Sequence, residues 1–232
     1  MLLPSFEKLP KDLQVAEVMP YYEVIRPKWV QLIIKRIMDI VIAILLLAIL
    51  LLPMLVIAIA ILIDSGFPIL YKQKRVTQFG RNFYIYKFRT MVVNADKIGS
   101  HVTLDHDPRI TRMGTRLRNW RFDEMPQVLN LLFGDMTLVG TRPEVVDIVK
   151  RYTPEMRATL LLPAGLTSRC SILYKDEAKL MQQLKTPEEA DALYMNRILP
   201  DKMKINLEEI QHFSLARETK VLIDTILTVV RK

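Results

Sequence analysis

The hydrophobic pattern divides the chain sharply. From Ile40 to Ile63 no charged or strongly polar side chain interrupts the run IVIAILLLAILLLPMLVIAIAILI, which is bounded by Asp39 and Asp64. A straight helix of that length would reach roughly 36 Å, more than a hydrocarbon core of about 30 Å, so the run reads as a membrane segment. It is too long and too far from the start for a cleaved signal peptide, and no small-residue cleavage pattern follows it. Pro53 falls in its middle, where a proline removes a backbone hydrogen bond and bends a helix. Arg26, Lys28, Lys35 and Arg36 precede the run and Lys72, Lys74 and Arg75 follow it, a basic bias that assigns both flanks to the cytoplasm. The pattern predicts a re-entrant pair of helices bent at Pro53, with a kinked spanning helix as the alternative.

Outside that run the periods are shorter. Residues 1–34 mix Pro4, Pro10, Pro20 and Pro27 with charges and read as a surface arm, leading into a membrane-proximal helix near Trp29 to Met38. Strand-like runs around Ile69 to Tyr71 and Phe83 to Tyr86, separated by Gly80, predict a small β-hairpin. From Thr111 onward the spacing predicts helices over Arg112 to Trp120, Asp123 to Phe133, Pro143 to Tyr152, Pro154 to Leu162, near Lys175 to Leu184, Pro187 to Ile198 and Leu215 to Val230. The expected organisation is an arm over 1–34, a membrane-embedded segment over 35–68 and a soluble domain over 69–232. That domain is mostly α with the small hairpin.

Charge and composition narrow the chemistry. A formal charge of +8 in 232 residues calls for an anionic partner: nucleic acid, a phosphorylated substrate or an anionic lipid surface. A nucleic-acid docking motif or stacking surface is absent from the sequence, so nucleic acid is not expected as a partner. The lone Cys170 excludes an internal disulfide framework. No glycine-rich phosphate loop is present, which leaves side chains and helix ends to hold phosphates.

The densest polar constellation holds Asp107, Arg109, Arg112, Arg116, Arg118, Arg121, Asp123 and Glu124, followed by Asp135, Arg142 and Glu144. Guanidinium groups bind phosphate by parallel hydrogen bonds and stay charged, so the cluster fits a pyrophosphate substrate. The adjacent carboxylates can divide two tasks, Asp123 or Glu124 attacking phosphorus while the other holds a divalent ion, expected to be Mg²⁺. The same Asp123-Glu124-Met125-Pro126 string also reads as an ordinary helix start, with an N-cap aspartate and a first-turn proline. Arg109, Arg112 and Arg116 also read as a solvated or lipid-facing basic stripe. His101, His106 and His212 lack metal-ligand spacing.

An ordered series of strings carries a resemblance. Lys35-Arg36-x-x-Asp39 ahead of the apolar run is followed by YKFRTM (Tyr86 to Met91), DPRIT (Asp107 to Thr111), FDEMPQVLN (Phe122 to Asn130), GDMTLVG (Gly134 to Gly140) and TRPE (Thr141 to Glu144). Over roughly Lys35 to Leu173 the chain resembles the bacterial sugar transferase family, the monotopic phosphoglycosyl transferases, in their minimal form without an appended membrane domain. The resemblance implies a re-entrant membrane helix and a cytoplasm-facing catalytic domain at the bacterial inner membrane. It implies ping-pong transfer of a sugar phosphate from a UDP-sugar to polyprenyl (undecaprenyl) phosphate, initiating envelope glycoconjugate synthesis. Asp123 would be the nucleophile that displaces UMP, and Glu124 would help to bind Mg²⁺. Arg118 and Arg142 would contact phosphate, with Lys87, Arg89 and Arg109 as further donors. Lys35, Arg36, Asp39 and Pro53 are expected in the membrane or at its headgroups, and a homo-oligomer is left open. The chain departs from the family pattern at Thr141, at Arg121, at Leu52-Pro53 and at Pro163-Ala164-Gly165-Leu166-Thr167-Ser168. A catalytically silent membrane scaffold of the same fold is the competing reading, although Asp123, Glu124 and Arg142 are all present.

Overall fold

The computed structural model describes residues 1–95, 107–175 and 186–230. All but the first residue of the helix expected near Lys175 to Leu184 lies outside these, as do His101 and His106. Helix α1 (Met19–Ile25) leads through a short 3₁₀ turn into α2 (Trp29–Ser65), which carries the whole apolar run and continues through Pro53. Strands β1 (Leu70–Val76) and β2 (Asn82–Phe88) follow, then α3 (Arg112–Asn119), α4 (Gln127–Phe133), β3 (Met136–Val139) and α5 (Val146–Val149). The chain closes with β4 (Ala164–Thr167), α6 (Arg169–Leu173), α7 (Pro187–Leu193), a π-helical turn (Tyr194–Ile198), α8 (Leu199–Gln211) and α9 (Leu215–Val230). The molecule is mostly helical with two small sheets, and among the described residues α2 is the helix long and apolar enough to cross a membrane.

The hairpin forms where the alternation predicts it. β1 pairs antiparallel with β2 from Leu70 opposite Phe88 to Val76 opposite Asn82, and Phe83, Ile85 and Phe88 turn inward. The free edge of β2 is plugged by Asn130 of α4, which accepts from the Tyr86 N–H (3.0 Å) and donates to the Tyr84 carbonyl (2.7 Å). The second sheet was not expected: β3 and β4 pair in parallel, Met136 with Ala164 and Val139 with Thr167. Each strand is only four residues long, and β3 is buried throughout, so neither shows an alternation to read. Pro143 to Tyr152 is helical only over Val146–Val149, and Pro154 to Leu162 is 3₁₀ rather than α.

The arm expected on the surface belongs to the core. Leu9, Leu13, Val18, Tyr21 and Ile25 pack with Leu161, Leu207 and Phe213 from the far end of the chain. The residues ahead of the apolar run also turn inward. The Lys35 ammonium, 3% exposed, donates to the Val139 carbonyl (2.8 Å) and pairs with Glu218 of α9 (2.7 Å). Asp39, 1% exposed, accepts from the Thr137 hydroxyl (2.7 Å) and the Leu138 N–H (2.9 Å). Arg36 donates to the Leu131 and Leu132 carbonyls at the end of α4 (2.9 and 2.8 Å). All three were expected in the membrane or at its headgroups; the structure gives them protein partners, because Lys35 and Asp39 would cost far more buried and unpaired, and Arg36 satisfies carbonyls left open at the end of α4.

Asp39→Ala should destabilise the protein by about 2–4 kcal/mol, since it strands a buried N–H and a buried hydroxyl together. Thermal unfolding in detergent will show it as a clearly lowered midpoint. An unchanged midpoint would mean that water takes over both donors.

Candidate active site

The site is built on a tight turn between α3 and α4. Trp120 ends α3, and Arg121 adopts a left-handed conformation (φ 55°, ψ 23°) that turns the chain back on itself. Few non-glycine residues hold this geometry without strain. A 3₁₀ turn, Phe122–Glu124, follows directly and presents Asp123 and Glu124 in succession. Neither carboxylate caps a helix: the N-cap of α4 is Pro126, which has no side-chain cap to offer, and the turn itself has none. The ordinary helix-start reading therefore does not account for the pair.

Glu124 is gripped from two other elements. Its Oε1 accepts from Lys87 Nζ of β2 (2.9 Å) and from Arg142 Nη2 of the segment after β3 (2.7 Å). Burial opposes its charge, but Arg142 and Lys87 outweigh that opposition and hold the carboxyl well below the usual carboxylate range. Asp123 is the reverse case. Burial and the neighbouring Glu124 charge push it up, against the pull of Lys87 and Arg118. Apart from a bond with its own backbone N–H, its carboxylate takes no partner among the described residues. Two adjacent carboxylates thus have opposite characters, one clamped and ionised, the other unclamped and costly to ionise. Such divergence marks a division of chemical labour.

Arg118 lies on the last turn of α3 with its charge close enough to Asp123 for mutual attraction. Its Nε donates to the Thr90 hydroxyl (2.9 Å), and its two terminal nitrogens take no partner among the described residues. A guanidinium oriented by one bond with its fork open is suited to a phosphate. Arg142 is aimed by its backbone on both sides. The Gly140 N–H donates to the Thr167 carbonyl (3.0 Å), the Gly165 N–H to the Thr141 carbonyl (2.8 Å) and Arg75 to the Pro143 carbonyl (3.1 Å). Glu144 is buried and accepts from the Tyr194 hydroxyl at 2.5 Å, with Arg75 on its other oxygen at 3.8 Å. No pattern in the sequence pointed to Arg75 or Tyr194 as supports of this segment.

Four expected site residues do come together: Asp123, Glu124, Lys87 and Arg142, with Arg118 beside them. Two others do not. Arg109 forks onto Asp107 (2.6 to 3.2 Å) and donates to the Ala95 carbonyl, closing its own loop. Arg89 is buried and donates to the Ser65 carbonyl and hydroxyl and the Gly66 carbonyl, capping the end of α2.

For a divalent cation the donor set is sparse but serviceable. Among the described residues no cluster of three or more His, Cys, Asp and Glu side chains is present. Glu124 uses Oε1 for both of its cations, which leaves Oε2 available next to the Asp123 carboxylate. Mg²⁺ is typically held by one or two carboxylates together with substrate phosphates and waters, and this pair fits that description.

Comparison with known proteins agrees with the geometry. The family model described as bacterial sugar transferase matches residues 30–232. A Bacillus subtilis relative, provisionally named an undecaprenyl-phosphate N-acetylgalactosaminyl 1-phosphate transferase, is 41% identical over 54% of this chain and 70% of its own. The UDP-N-acetylgalactosamine-undecaprenyl-phosphate N-acetylgalactosaminephosphotransferase of Aeromonas hydrophila is 39% identical over 56% of this chain, but the match spans only 31% of that protein. The UDP-glucose:undecaprenyl-phosphate glucose-1-phosphate transferase of Caulobacter vibrioides is 34% identical over 83% of this chain and 68% of its own. With a family match running from the start of α2 to the last residue, and with Asp123 and Glu124 set among Lys87, Arg118 and Arg142, the chain belongs to the bacterial sugar transferase family.

Proposed function

We propose that this protein is a membrane-bound phosphoglycosyl transferase that moves a sugar 1-phosphate from a UDP-sugar to a polyprenyl phosphate. The observation that carries the reading is the unclamped Asp123 carboxylate beside a clamped Glu124 and an open Arg118 fork. In the first half-reaction an Asp123 oxygen attacks the β-phosphorus of the donor. The new O–P bond forms as the bridging P–O bond breaks, and UMP leaves with the bridging oxygen. In the second, a phosphate oxygen of the polyprenyl phosphate attacks the same phosphorus and the Asp123 carboxylate departs, giving the polyprenyl diphosphate sugar. Arg118 and Arg142 hold the phosphoryl oxygens and offset the charge that develops on them. Glu124 Oε2 would hold Mg²⁺, which would supply Lewis-acid stabilisation of the departing phosphate.

The membrane placement rests on how α2 is held. Its early turns are tied to β3 and α4 through Lys35, Arg36 and Asp39. At its far end Asp64 accepts from the Met113 N–H of α3 (3.2 Å), and Arg89 caps Ser65. A helix spanning the bilayer would part these two anchorages by the membrane thickness, whereas both grip one body. Between them Leu45, Ile49, Leu51, Leu52 and Val56 face outward, Leu52 being 70% exposed, an apolar surface too large to leave in water. These features support a segment that enters and leaves through the cytoplasmic leaflet with Pro53 near its deepest point, its exposed face against membrane lipids. Because the native Cys170 is buried, single cysteines introduced at Gln31 and Ser65 can be labelled selectively. Both should react with an impermeant reagent from the cytoplasmic side, and labelling from opposite sides would establish a spanning helix instead.

The deciding test is to incubate the purified protein with Mg²⁺ and UDP-sugars in the absence of lipid, and to measure intact mass. A phosphosugar adduct is expected. Failure to see one while UMP is still released on adding polyprenyl phosphate would remove the covalent step. Silence in both assays across a broad donor panel would remove the transferase reading.

A further inference from the structure

Beside Arg142 lies an open cavity of about 220 Å³, which Arg121 also lines. Arg142, Ser168, Ser171, Tyr174, Lys202 and Asn206 supply most of its polar wall. Arg142, whose guanidinium touches Glu124, therefore also lines this cavity, making the two spaces neighbours.

Asn206, on α8, is the telling residue. It is 6% exposed, lines the cavity, and makes no hydrogen bond among the described residues. A carboxamide brings two donors and an acceptor, and here they keep access to solvent instead of a protein partner, so they are open to a ligand. The surrounding polar groups are not orphaned in the same way. Ser168 and Ser171 pair with each other (2.9 Å), and Lys202 donates to the Tyr194 hydroxyl (3.4 Å). Tyr194 itself opens the π-helical turn, a distortion found disproportionately at functional positions. It joins Lys202 to Glu144 and so ties the cavity wall to the segment that aims Arg142.

We infer that this cavity receives the sugar ring of the donor, with Asn206 hydrogen-bonding a ring substituent; the inference rests on the transferase reading above. A ring linked to a phosphate at Arg142 would enter this space directly. Beside Arg121, Arg142 and the Glu144 carboxylate, the wall offers hydroxyls, an amide and ammonium groups, chemistry matched to vicinal hydroxyl or acylamino groups. The volume falls below the roughly 300–1,000 Å³ of pockets that enclose larger ligands, which favours a single ring over a whole nucleoside. Asn206 is then a specificity-determining residue.

Asn206→Ala tests it in the full-length, detergent-solubilised protein with UDP-glucose, UDP-galactose, UDP-N-acetylglucosamine and UDP-N-acetylgalactosamine. We expect kcat/KM to fall at least about 10-fold for the donor the parent prefers, with smaller losses for the others. Inhibition by UMP should stay unchanged, and so should the unfolding midpoint, because the Asn206 side chain makes no hydrogen bond among the described residues. Equal losses across all donors with weaker UMP inhibition would assign the cavity to the uridine and overturn the inference. Unchanged kinetics, or a lowered midpoint with equal losses, would overturn it as well. A parent inactive with every donor would remove the transferase function itself, and the sugar assignment with it.

Discussion

Asp123→Asn should unfold at a higher temperature than the parent while losing at least about 10⁴-fold in turnover and forming no phosphosugar adduct. The two effects share one cause. The Asp123 carboxyl is pushed up by burial and by Glu124, so ionising it in the folded protein costs free energy that the unfolded chain does not incur. Below the unfolded value of about 3.9 both states hold the proton and the penalty vanishes. As pH rises the unfolded chain ionises first, so the penalty grows until the raised folded value is passed, and then levels off. The variant carries no such group, so its stability advantage should be absent near pH 4, open as pH rises and then stay constant. Parent activity should rise through the same window, as the nucleophile loses its proton. A variant that is no more stable than the parent at neutral pH would show that Asp123 is not held at a cost, and an adduct on the variant would move the nucleophile elsewhere.

Gly165→Ala should be the most damaging single methyl added outside the catalytic groups. A Cβ at Gly165 would lie under 3.0 Å from the Gly140 backbone nitrogen, carbon and oxygen, where β3 and β4 come closest. Backbone cannot rotate aside as a flexible side chain does, so the strands must part or the Gly140–Arg142 segment must move. Overpacking of this kind costs about 1–3 kcal/mol. Misplacing Arg142 by about 1 Å should lower kcat/KM by roughly 100-fold even at temperatures where the variant stays folded. Unfolding midpoints and single-temperature kinetics separate the two losses. A fully active, equally stable variant would show that the β3–β4 approach is looser than the structure describes.

Much of this was legible in the chain. Uninterrupted apolar residues announced α2, alternation announced the hairpin, and ordered polar strings brought Lys87, Asp123, Glu124 and Arg142 together. Less legible were features decided by distant partners. Lys35 and Asp39 look like headgroup residues because each is a charge beside an apolar run, and only β3 and α9 make them interior. Arg89 and Arg109 have the chemistry of phosphate ligands, yet Ser65 and Asp107 claim them. Helix α8 has a helical spacing at Leu199, Met203, Leu207 and Ile210, outside the helices expected from the sequence. Asn206 sits between those apolar positions, and nothing local distinguishes it from a solvated asparagine.

The rivets between α2 and β3 also bear on how the protein is made. Lys35 finds the Val139 carbonyl across 104 positions of sequence, and Asp39 finds the Leu138 N–H across 99. During synthesis the apolar segment therefore leaves the ribosome long before either charge has its partner. If it enters the lipid as proposed above, it does so with both charges still in water at the surface, and only the later arrival of β3 draws them inside. On that proposal insertion precedes folding, the second locking the first, and a nascent chain stalled before Met136 would be left unlatched.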